Sequence, residues 1–378
     1  MEVYITKAGK FLPNEPVENE EMEKYLGMID GKPSKARRII LRNNGIKQRY
    51  YALDEHGNTT HTSVQMCANA IHSLLDDSLT VDDIDLLACA TSTPEQILPS
   101  HASMVHGELG GSKSTEIVSL AGSCCTGIDA LKYAYMAVCL GLAENAVAAA
   151  SERPSAWTRS GYFQKESEQL AQLENQPMLA FEKEFLRWML SDGAFALLLQ
   201  GKPCEHDISL RIEWIEKTSF ANTKETCMYA GAEKEADGRL KGWADFNADE
   251  WLSRSLFALK QDTRLLAEHI VPLGVTFLLQ LGEKHHFSPA DVDWFLPHLS
   301  SMFFKDKILK ESKERGFFIP EERWFLNLPH VGNIGSASAY AMLEELLYSG
   351  QLKKGQKILL MVPESARFSF CYCMLTVV

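Results

Sequence analysis

The chain has 378 residues, of which 46% are hydrophobic, and its formal net charge at pH 7 is −12. This length allows one large two-layered domain or two fused halves, and the acidic balance argues against nucleic acid or an anionic membrane as a partner. No signal peptide is visible, no uninterrupted apolar run reaches the roughly 18 residues of a membrane helix, and the nine cysteines are scattered without CxxC spacing. These features predict a cytoplasmic protein without membrane insertion, disulfides or a metal site.

The elements predicted from apolar periodicity alternate between strands and helices, as in an α/β fold. The predicted strands lie over residues 3–6, 84–91, 117–121, 146–150, 194–199, 209–214, 294–296 and 357–361. The predicted helices include residues 62–75, 102–109, a helix from Gly127 to Gly141, and a long segment over about 249–281. Residues 157–189 break the alternation and are interpreted as an insert that forms a lid, a dimer arm or a pocket wall.

Two parts of the chain repeat one another. The sequences TVDDID from Thr80 and SPADVD from Ser288 both place a capping hydroxyl and an acidic turn before a buried strand. The offset is 208 residues, and the helix ends at Gly141 and Gly350 give nearly the same value, 209. The repeat predicts two similar α/β halves, residues 1–203 and 204–378.

A short buried strand turns sharply into a helix within the sequence VSLAGSCCTGIDALKYAYMAVCLG. Two thiols, Cys124 and Cys125, lie at this junction, where unpaired N–H groups and the helix dipole favour a thiolate. Cys125 is the preferred nucleophile because it lies two residues before Gly127, which would let a substrate approach the backbone. Cys124 is then expected to face the core. The alternative is that both are small buried hydrophobic side chains.

Two further polar residues follow predicted elements. His298 comes directly after the strand over 294–296, at the kind of strand end where α/β folds bind ligands. Asn333 lies where the repeat offset projects the Cys125 junction, so a second helix N-terminus is expected to face the first. A thiol, a neutral imidazole and a carboxamide can transfer an acyl group and stabilise an enolate. The structural alternatives are a core histidine and a turn asparagine.

Six motifs occur in a fixed order along most of the chain: GIKQR from Gly45, IDLLACATSTPEQILPSHASMVHGELG from Ile84, Cys125-Thr126-Gly127, Asp192-Gly193-Ala194, Trp294 through His298, and Gly332-Asn333 before a small-residue helix. Together they resemble the β-ketoacyl-acyl-carrier-protein synthase III family, the FabH class of the thiolase superfamily. Each motif alone is weak, whereas the set is specific.

The resemblance implies a thiolase fold, five-layered αβαβα and built from two similar halves, with Cys125, His298 and Asn333 as catalytic residues. In this family the cysteine accepts an acyl group from a thioester. The histidine and asparagine promote carbanion formation on a second thioester, which attacks the acyl-enzyme. The resemblance also implies a homodimer in which Leu98 reaches the partner's acyl pocket, an acyl carrier protein as partner, and no cofactor besides thioesters of that carrier or of coenzyme A.

Two departures from the family concern the carrier of the acyl group. Ile39 and Asn43 occupy the places of a tryptophan and an arginine that clamp the adenine of coenzyme A, which favours carrier-protein thioesters. Near Phe303 a carrier-docking arginine is replaced. Its task is expected to fall to Lys305, Lys307 and Lys310.

A third departure concerns the glycine-rich turn that lends a backbone N–H to the family's oxyanion hole. Here the turn reads ESARF from Glu364, and Ala366 is expected to supply the N–H. A charged Arg367 near the pocket indicates a substrate with a carboxylate or a polarised carbonyl.

These departures and the insert resemble the DarB-like ketosynthases of dialkylresorcinol and stilbene pathways. The resemblance implies that the enzyme joins a β-ketoacyl thioester to a second, α,β-unsaturated acyl thioester and closes a cyclohexanedione ring. Glu152, which follows a core strand, is either an extra acid or base or the cap of a turn. Glu95, in the loop after Pro94, is a second candidate of the same kind.

Other functions remain open at this point. Within enzymes the alternatives are a starter-type synthase that uses malonyl carrier protein, and an acyltransferase to an alcohol or amine, against which Asn333 argues. An alternative of another class is a non-catalytic subunit similar to a chain-length factor, although such subunits typically lose the nucleophile.

Overall fold

The computed structural model describes residues 1–34, 37–163 and 186–378. Most of the predicted insert, residues 164–185, lies outside the described residues. The strands are β1 (Tyr4–Phe11), β2 (Val17–Glu18), β3 (Gln48–Arg49), β4 (Leu86–Thr91), β5 (Glu116–Ala121), β6 (Asn145–Glu152), β7 (Gly193–Gln200), β8 (Leu210–Ser219), β9 (Met228–Tyr229), β10 (Ala232–Lys234), β11 (Leu240–Gly242), β12 (Lys260–Gln261), β13 (Trp294–Pro297), β14 (Lys357–Glu364) and β15 (Ser369–Val377). The α-helices are α1 (Met22–Leu26), α2 (Arg37–Asn44), α3 (Ser63–His72), α4 (His101–Leu109), α5 (Thr126–Cys139), α6 (Ala248–Ser253), α7 (Thr263–His285), α8 (Phe303–Glu314), α9 (Leu328–Val331) and α10 (Ser338–Leu347).

Nine strands form one mixed sheet in the order β13-β14-β15-β8-β1-β7-β6-β4-β5. The four strands at one end come from the second half of the chain and the other five from the first half. A short antiparallel ladder joins the two groups, with Tyr4 opposite Arg211 and Ile5 opposite Leu210. Each half therefore contributes its own half-sheet, and the predicted boundary at residues 203 and 204 falls between β7 and β8.

Helices α5 and α10 lie between the two half-sheets, in one core with inward-facing residues of both. Helices α3 and α4 pack on the opposite face of the first half-sheet. Helix α7, with α8 against it, covers the outer face of the second. The predicted five-layered αβαβα arrangement is therefore confirmed.

The predicted repeat is also present in atomic detail. The N–H and hydroxyl of Thr80 donate to Asp83 Oδ2 at 2.8 and 2.6 Å. The N–H and hydroxyl of Ser288 donate to Asp291 Oδ2, both at 2.8 Å. The same capped turn thus precedes β4 in one half and β13 in the other, because each half enters its buried parallel strand from the same kind of turn.

The long helix predicted over about 249–281 is wrong as a single element. The chain there forms α6, the short strand β12 and then α7. Asp262 follows the strand and caps α7, because its Oδ1 accepts the N–H groups of Arg264 and Leu265 at 3.1 and 2.9 Å. A strong capping residue inside an apolar pattern marks a helix start that periodicity alone does not show.

Helix α7 is long and apolar enough to cross a membrane by length and composition, and half of that stretch is buried inside the protein. Its buried side chains include Leu266, Ile270 and Leu278, which belong to the core under the second half-sheet. Such one-sided burial is typical of a core helix in a globular fold.

Candidate active site

A cavity of about 330 Å³ lies at the carboxyl ends of β4, β5, β6 and β14. Its wall includes Cys124 and Asn333, together with apolar side chains such as Trp157 and Met228. A smaller cavity of about 30 Å³ shares Cys124, Ser300 and Ser365 with the first and extends to His298. The predicted imidazole and carboxamide therefore line two adjoining cavities that share one thiol.

That shared thiol belongs to Cys124. The side chain of Cys125 is completely buried in the central core, and its Sγ donates a hydrogen bond to the carbonyl oxygen of Val362 at 3.2 Å. The prediction that Cys125 faces the substrate and Cys124 faces the core is wrong, because the two side chains point the other way. Cys125 immediately precedes α5 with helical dihedrals, φ −70° and ψ −17°, and this conformation directs it into the layer between the half-sheets.

The local electrostatics also differ from the prediction for a helix N-terminus. Burial, followed by the charge of Glu364, raises the pKa of Cys124 to about 12. Burial raises the pKa of Cys125 well above its ordinary value. Glu364 Oε2 accepts the backbone N–H of Cys125 at 3.2 Å, so a carboxylate already occupies part of the positive helix end. Both thiols are therefore protonated at rest, and Cys124 needs a base before it can attack.

Gly127 allows close packing between the two halves of the chain. It does not provide the predicted space for a substrate to approach the backbone. A Cβ built on Gly127 would lie 2.1 Å from the carbonyl oxygen of Ser336. The hydroxyl of Tyr340 donates to the Gly127 carbonyl at 2.6 Å. The start of α5 thus packs directly on the turn that leads into α10, and the prediction that two helix N-termini face each other is confirmed.

His298 follows β13, and its backbone N–H donates to the carbonyl of Met361 on β14 at 2.8 Å. The residue is 3% exposed, and burial lowers the pKa of its imidazole to about 4. At neutral pH the ring is therefore uncharged, with one nitrogen that donates a hydrogen bond and one that accepts.

Asn333 is held with its amide in a defined orientation. Its Oδ1 accepts the N–H of Gly335 at 3.0 Å and lies 3.5 Å from the hydroxyl of Ser338. Because a backbone N–H can bond only to the oxygen of the amide, this contact assigns the oxygen and leaves the NH₂ group as the donor for a ligand in the cavity.

Glu152 lies in the cavity wall at the end of β6 and is 1% exposed. Its two oxygens accept five hydrogen bonds: from the N–H and hydroxyl of Ser92, the hydroxyl of Thr93, and the N–H and hydroxyl of Ser336. Glu152 therefore connects the loop after β4 with the turn before α10. This geometry matches the predicted capping role better than that of a free acid or base.

The remaining predicted residues lie outside the cavity wall. Glu95 forms an ion pair with Arg153 at 2.8 Å. Arg367 is exposed, and its Nε donates to the carbonyl of Lys224 at 3.1 Å, so the prediction that its charge lies at the pocket is wrong. Leu98 is 82% exposed on the loop before α4.

Glu364 is the residue that the sequence reasoning missed. It lines the larger cavity together with Cys124, and burial raises the pKa of its carboxyl group. Residues two apart in a strand share a face. Leu360 and Val362 of β14 face the central core, so the alternation directs Glu364 towards the start of α5. The alternation along β14 and the altered turn that begins at Glu364 were the sequence features that could have indicated its position in the site.

Arg49 and Asp192, which belong to the sequence motifs, stabilise the loops behind the cavity wall through buried hydrogen bonds. Arg49 donates to Asn19 Oδ1 at 2.6 Å and to the carbonyl of Trp188 at 3.3 Å. Asp192 accepts the N–H groups of Ala52 and Ser155 at 2.7 and 2.9 Å. These buried polar groups tie separate loops to one another, which explains their presence without a catalytic role.

The chain is similar to known proteins in sequence and in fold. Residues 283–363 match the family model described as 3-oxoacyl-[acyl-carrier-protein (ACP)] synthase III C terminal. The chain is 26% identical over 355 residues to a β-ketoacyl-[acyl-carrier-protein] synthase III of Clostridium perfringens, with 93% of this chain and 92% of that protein covered. A synthase III of Cereibacter sphaeroides is also 26% identical, with the same coverage.

Solved structures show the same fold. A variant of OleA from Xanthomonas campestris superposes with a TM-score of 0.75 at 20% identity, covering 100% of this chain and 97% of that one. A tetronic acid condensing enzyme gives 0.74 at 19% identity, covering 99% of both chains. The 3-oxoacyl-[acyl-carrier-protein] synthase III of Aquifex aeolicus gives 0.69 at 20%, covering 99% of both.

These matches define the class of protein. The chain has the thiolase fold, and over most of its length its sequence is similar to proteins of the 3-oxoacyl-[acyl-carrier-protein] synthase III type. It is a condensing acyltransferase.

Proposed function

We propose that the enzyme joins two acyl thioesters by a Claisen-type condensation, with the first acyl group carried on Cys124. The observation that carries this proposal is the position of Cys124 in the wall shared by the two cavities, one lined by Asn333 and the other by His298. The sequence resemblance assigned the nucleophile to Cys125, and the burial of that residue is the reason for the reassignment.

Loading begins with a protonated thiol. The neutral His298 accepts the proton of Cys124 as the sulfur attacks the first thioester, and it returns a proton to the departing carrier thiolate. Because burial lowers its pKa to about 4, the imidazole is unprotonated at neutral pH and has a free nitrogen that can accept this proton. One carbon–sulfur bond forms and one breaks, so the step needs no cofactor.

Condensation then uses the donor groups of the site. The second thioester is converted to an enolate, whose oxygen accepts hydrogen bonds from His298 and the NH₂ group of Asn333. Fixed donors in a dry cavity stabilise developing negative charge better than water does. The enolate carbon attacks the acyl group on Cys124, the carbon–sulfur bond to Cys124 breaks and releases its thiolate, and the product remains on the second carrier.

For the substrates, we propose a β-ketoacyl thioester as the carbon nucleophile and an α,β-unsaturated acyl thioester as its partner, giving a cyclohexanedione or resorcinol precursor. The resemblance to DarB-like ketosynthases supports this assignment, and so does the apolar wall contributed by Leu186, Leu190 and Leu259. Acyl carrier protein is the proposed carrier. Lys307 and Lys310 on α8 are candidates for docking it, with Lys310 exposed and 3.9 Å from Glu314, whereas Lys305 forms a close ion pair with Glu321.

We further propose a cytoplasmic homodimer. Strand β5 lies at the edge of the nine-stranded sheet, with Glu116, Ser119 and Ala121 exposed. Ile97 and Leu98 are 74% and 82% exposed nearby in the chain. An unpaired edge strand and protruding apolar side chains favour association with a second copy.

Intact-protein mass spectrometry with acyl thioesters, followed by product analysis after a second thioester is added, tests the proposal. A mass gain that depends on Cys124, followed by a carbon–carbon coupled product, is expected. A product formed only from malonyl carrier protein would indicate the starter-type synthase. The absence of any mass gain would indicate a non-catalytic subunit.

A further inference from the structure

One carboxylate in the cavity has no place in the reaction as described above. Glu364 ends β14 and lines the larger cavity with Cys124 and Asn333. One of its oxygens, Oε2, accepts the N–H of Cys125 at 3.2 Å. This contact orients the Glu364 carboxylate in the wall of the cavity that Cys124 also lines, where a ligand would bind.

Glu152, the other carboxylate in the cavity wall, is bound by more hydrogen-bond donors than Glu364. Glu152 accepts five hydrogen bonds from Ser92, Thr93 and Ser336, so its lone pairs are occupied. These five donors hold Glu152 in place between the loop after β4 and the turn before α10. Glu364 accepts fewer hydrogen bonds, and burial raises the pKa of its carboxyl group, which suits a general base.

We infer that Glu364 is the general base that removes the α-proton of the second acyl thioester, so that condensation proceeds without loss of carbon dioxide. This inference rests on the proposed function, and it names the substrate class: a neutral, enolisable thioester such as a β-ketoacyl thioester. The carboxylate also disfavours a malonyl thioester, because a second anion beside Glu364 is repelled.

The step balances within the site. The carboxylate of Glu364 forms an O–H bond to the α-proton, and the C–H electron pair becomes the enolate that His298 and Asn333 stabilise. The enolate carbon forms the new carbon–carbon bond to the acyl group on Cys124, and the carbon–sulfur bond breaks. The proton on Glu364 then passes to the released thiolate, which restores both groups without an oxidant, reductant or further substrate.

The groups around Glu364 shift the pKa of its carboxyl group in both directions. Lys217 lowers its pKa, Asp129 raises it, and the N–H groups of Cys125 and Ser123 lower it. Lys217 is held by Asp129 at 2.6 and 2.8 Å, so its charge is shared. Burial is the largest of these influences, so the pKa of the Glu364 carboxyl group is raised overall.

The test compares Glu364→Gln with the parent enzyme after loading with octanoyl pantetheine thioester. The loaded enzymes receive either 3-oxooctanoyl pantetheine thioester, which must lose a proton, or malonyl pantetheine thioester, which forms its enolate by loss of carbon dioxide. Glu364→Gln is expected to load at the parent rate. Its condensation with the 3-oxoacyl thioester is expected to fall at least 100-fold, the usual contribution of a general base being about 10²–10⁴, while its condensation with malonyl thioester does not fall.

Arg367→Gln is the matched control, because it alters the same turn at an exposed position outside the cavity. It is expected to leave loading and both condensations unchanged. A second readout is independent of condensation: the rate of Cys124 alkylation at pH 8 should rise about tenfold in Glu364→Gln, because the neighbouring carboxylate raises the pKa of the thiol and its loss favours the thiolate.

The inference is overturned if Glu364→Gln condenses the 3-oxoacyl thioester at the parent rate. It is overturned as well if Glu364→Gln condenses both thioesters equally more slowly than the parent, or if Arg367→Gln is impaired to the same extent as Glu364→Gln. It is also overturned if the alkylation rate is unchanged, or if the parent enzyme uses malonyl thioester alone. A parent enzyme that is never loaded would refute the proposed function itself, and this inference with it. Failure of this inference and failure of the proposed function therefore give different experimental results.

Discussion

Cys124 and Cys125 are neighbours in the chain, yet their side chains lie on opposite sides of the β5–α5 junction. Cys124 faces two adjoining cavities, and Cys125 donates a hydrogen bond to the carbonyl of Val362 in the central core. One thiol is positioned for chemistry and the other for packing.

The first prediction separates these two roles. Cys124→Ala is expected to abolish acylation by any thioester, because the nucleophile is lost, while stability changes little. Cys125→Ala is expected to retain acylation and to lower the free energy of unfolding by about 1–2 kcal/mol, because it leaves a small cavity in the core. Intact mass after incubation with octanoyl pantetheine thioester, together with urea unfolding, measures both effects. Acylation that persists in Cys124→Ala and disappears in Cys125→Ala would reverse the assignment.

The second prediction concerns the division of labour between loading and condensation. Asn333→Ala is expected to load Cys124 at close to the parent rate and to slow condensation by about 10²–10³-fold, because one donor to the enolate oxygen is removed. Single-turnover kinetics on the loaded enzyme measure the two steps separately. If Asn333→Ala fails to load, the carboxamide acts before the enolate forms and the proposed order of events is wrong.

A third prediction follows from the pKa of His298, which burial lowers to about 4. Between pH 6.5 and about 4 the unfolded chain binds a proton at this residue that the folded chain does not, so the contribution of His298 to stability is present above pH 6.5 and is lost as the pH falls through this range. Stability of the parent should therefore decrease on acidification relative to His298→Gln. Between pH 7.5 and pH 5 the difference amounts to about 2 kcal/mol.

The comparison between variant and parent is needed because Asp192 acts in the opposite direction. Burial raises the pKa of Asp192 to about 6, so its contribution favours the folded state at low pH and weakens as the pH rises towards that value. Urea unfolding of both proteins at pH 5, 6 and 7.5 isolates the effect of His298. An equal change in the two proteins would show that the imidazole is not held neutral.

The fold was predictable because the signals for it are repeated. The capped turns at Thr80 and Ser288 and the buried strands after them recur at one offset, and the five-layered arrangement follows from two such halves. Periodicity failed at Asp262, where the capping carboxylate begins a new element inside an apolar stretch.

The site was predictable in part. His298 and Asn333 follow directly from strand ends and from the repeat. The choice between two adjacent cysteines did not follow, because it depends on how the last residue before α5 turns relative to Val362, and this is a tertiary contact. Glu364 was missed for a similar reason: its direction is set by the alternation of β14, which becomes meaningful only once the face that meets α5 is known.

The fourth prediction concerns Glu152 as a connection between the two halves. Glu152→Gln replaces one accepting oxygen by an NH₂ group, so at least one donor among Ser92, Thr93 and Ser336 loses its partner in a buried position. The free energy of unfolding is expected to fall by about 2–3 kcal/mol, measured by urea unfolding. Glu21→Gln, which weakens the exposed ion pair with Lys24 at 3.1 Å, is the control and should change stability by less than about 1 kcal/mol. Equal effects of the two substitutions would contradict the assigned role.

The fifth prediction tests the contact at which the two helix starts meet. Gly127→Ala would place a Cβ 2.1 Å from the carbonyl oxygen of Ser336, and a backbone atom cannot move aside as a flexible side chain can. The substitution is expected to lower the free energy of unfolding by about 4 kcal/mol or more, or to prevent folding. Gly107→Ala is the matched control. It lies in α4 with no atom within 4 Å of the added methyl group, and it should be neutral or stabilise the protein by up to about 1 kcal/mol. Thermal and urea unfolding of both variants decide the matter, since a Gly127→Ala protein as stable as Gly107→Ala would mean that the two halves do not approach so closely.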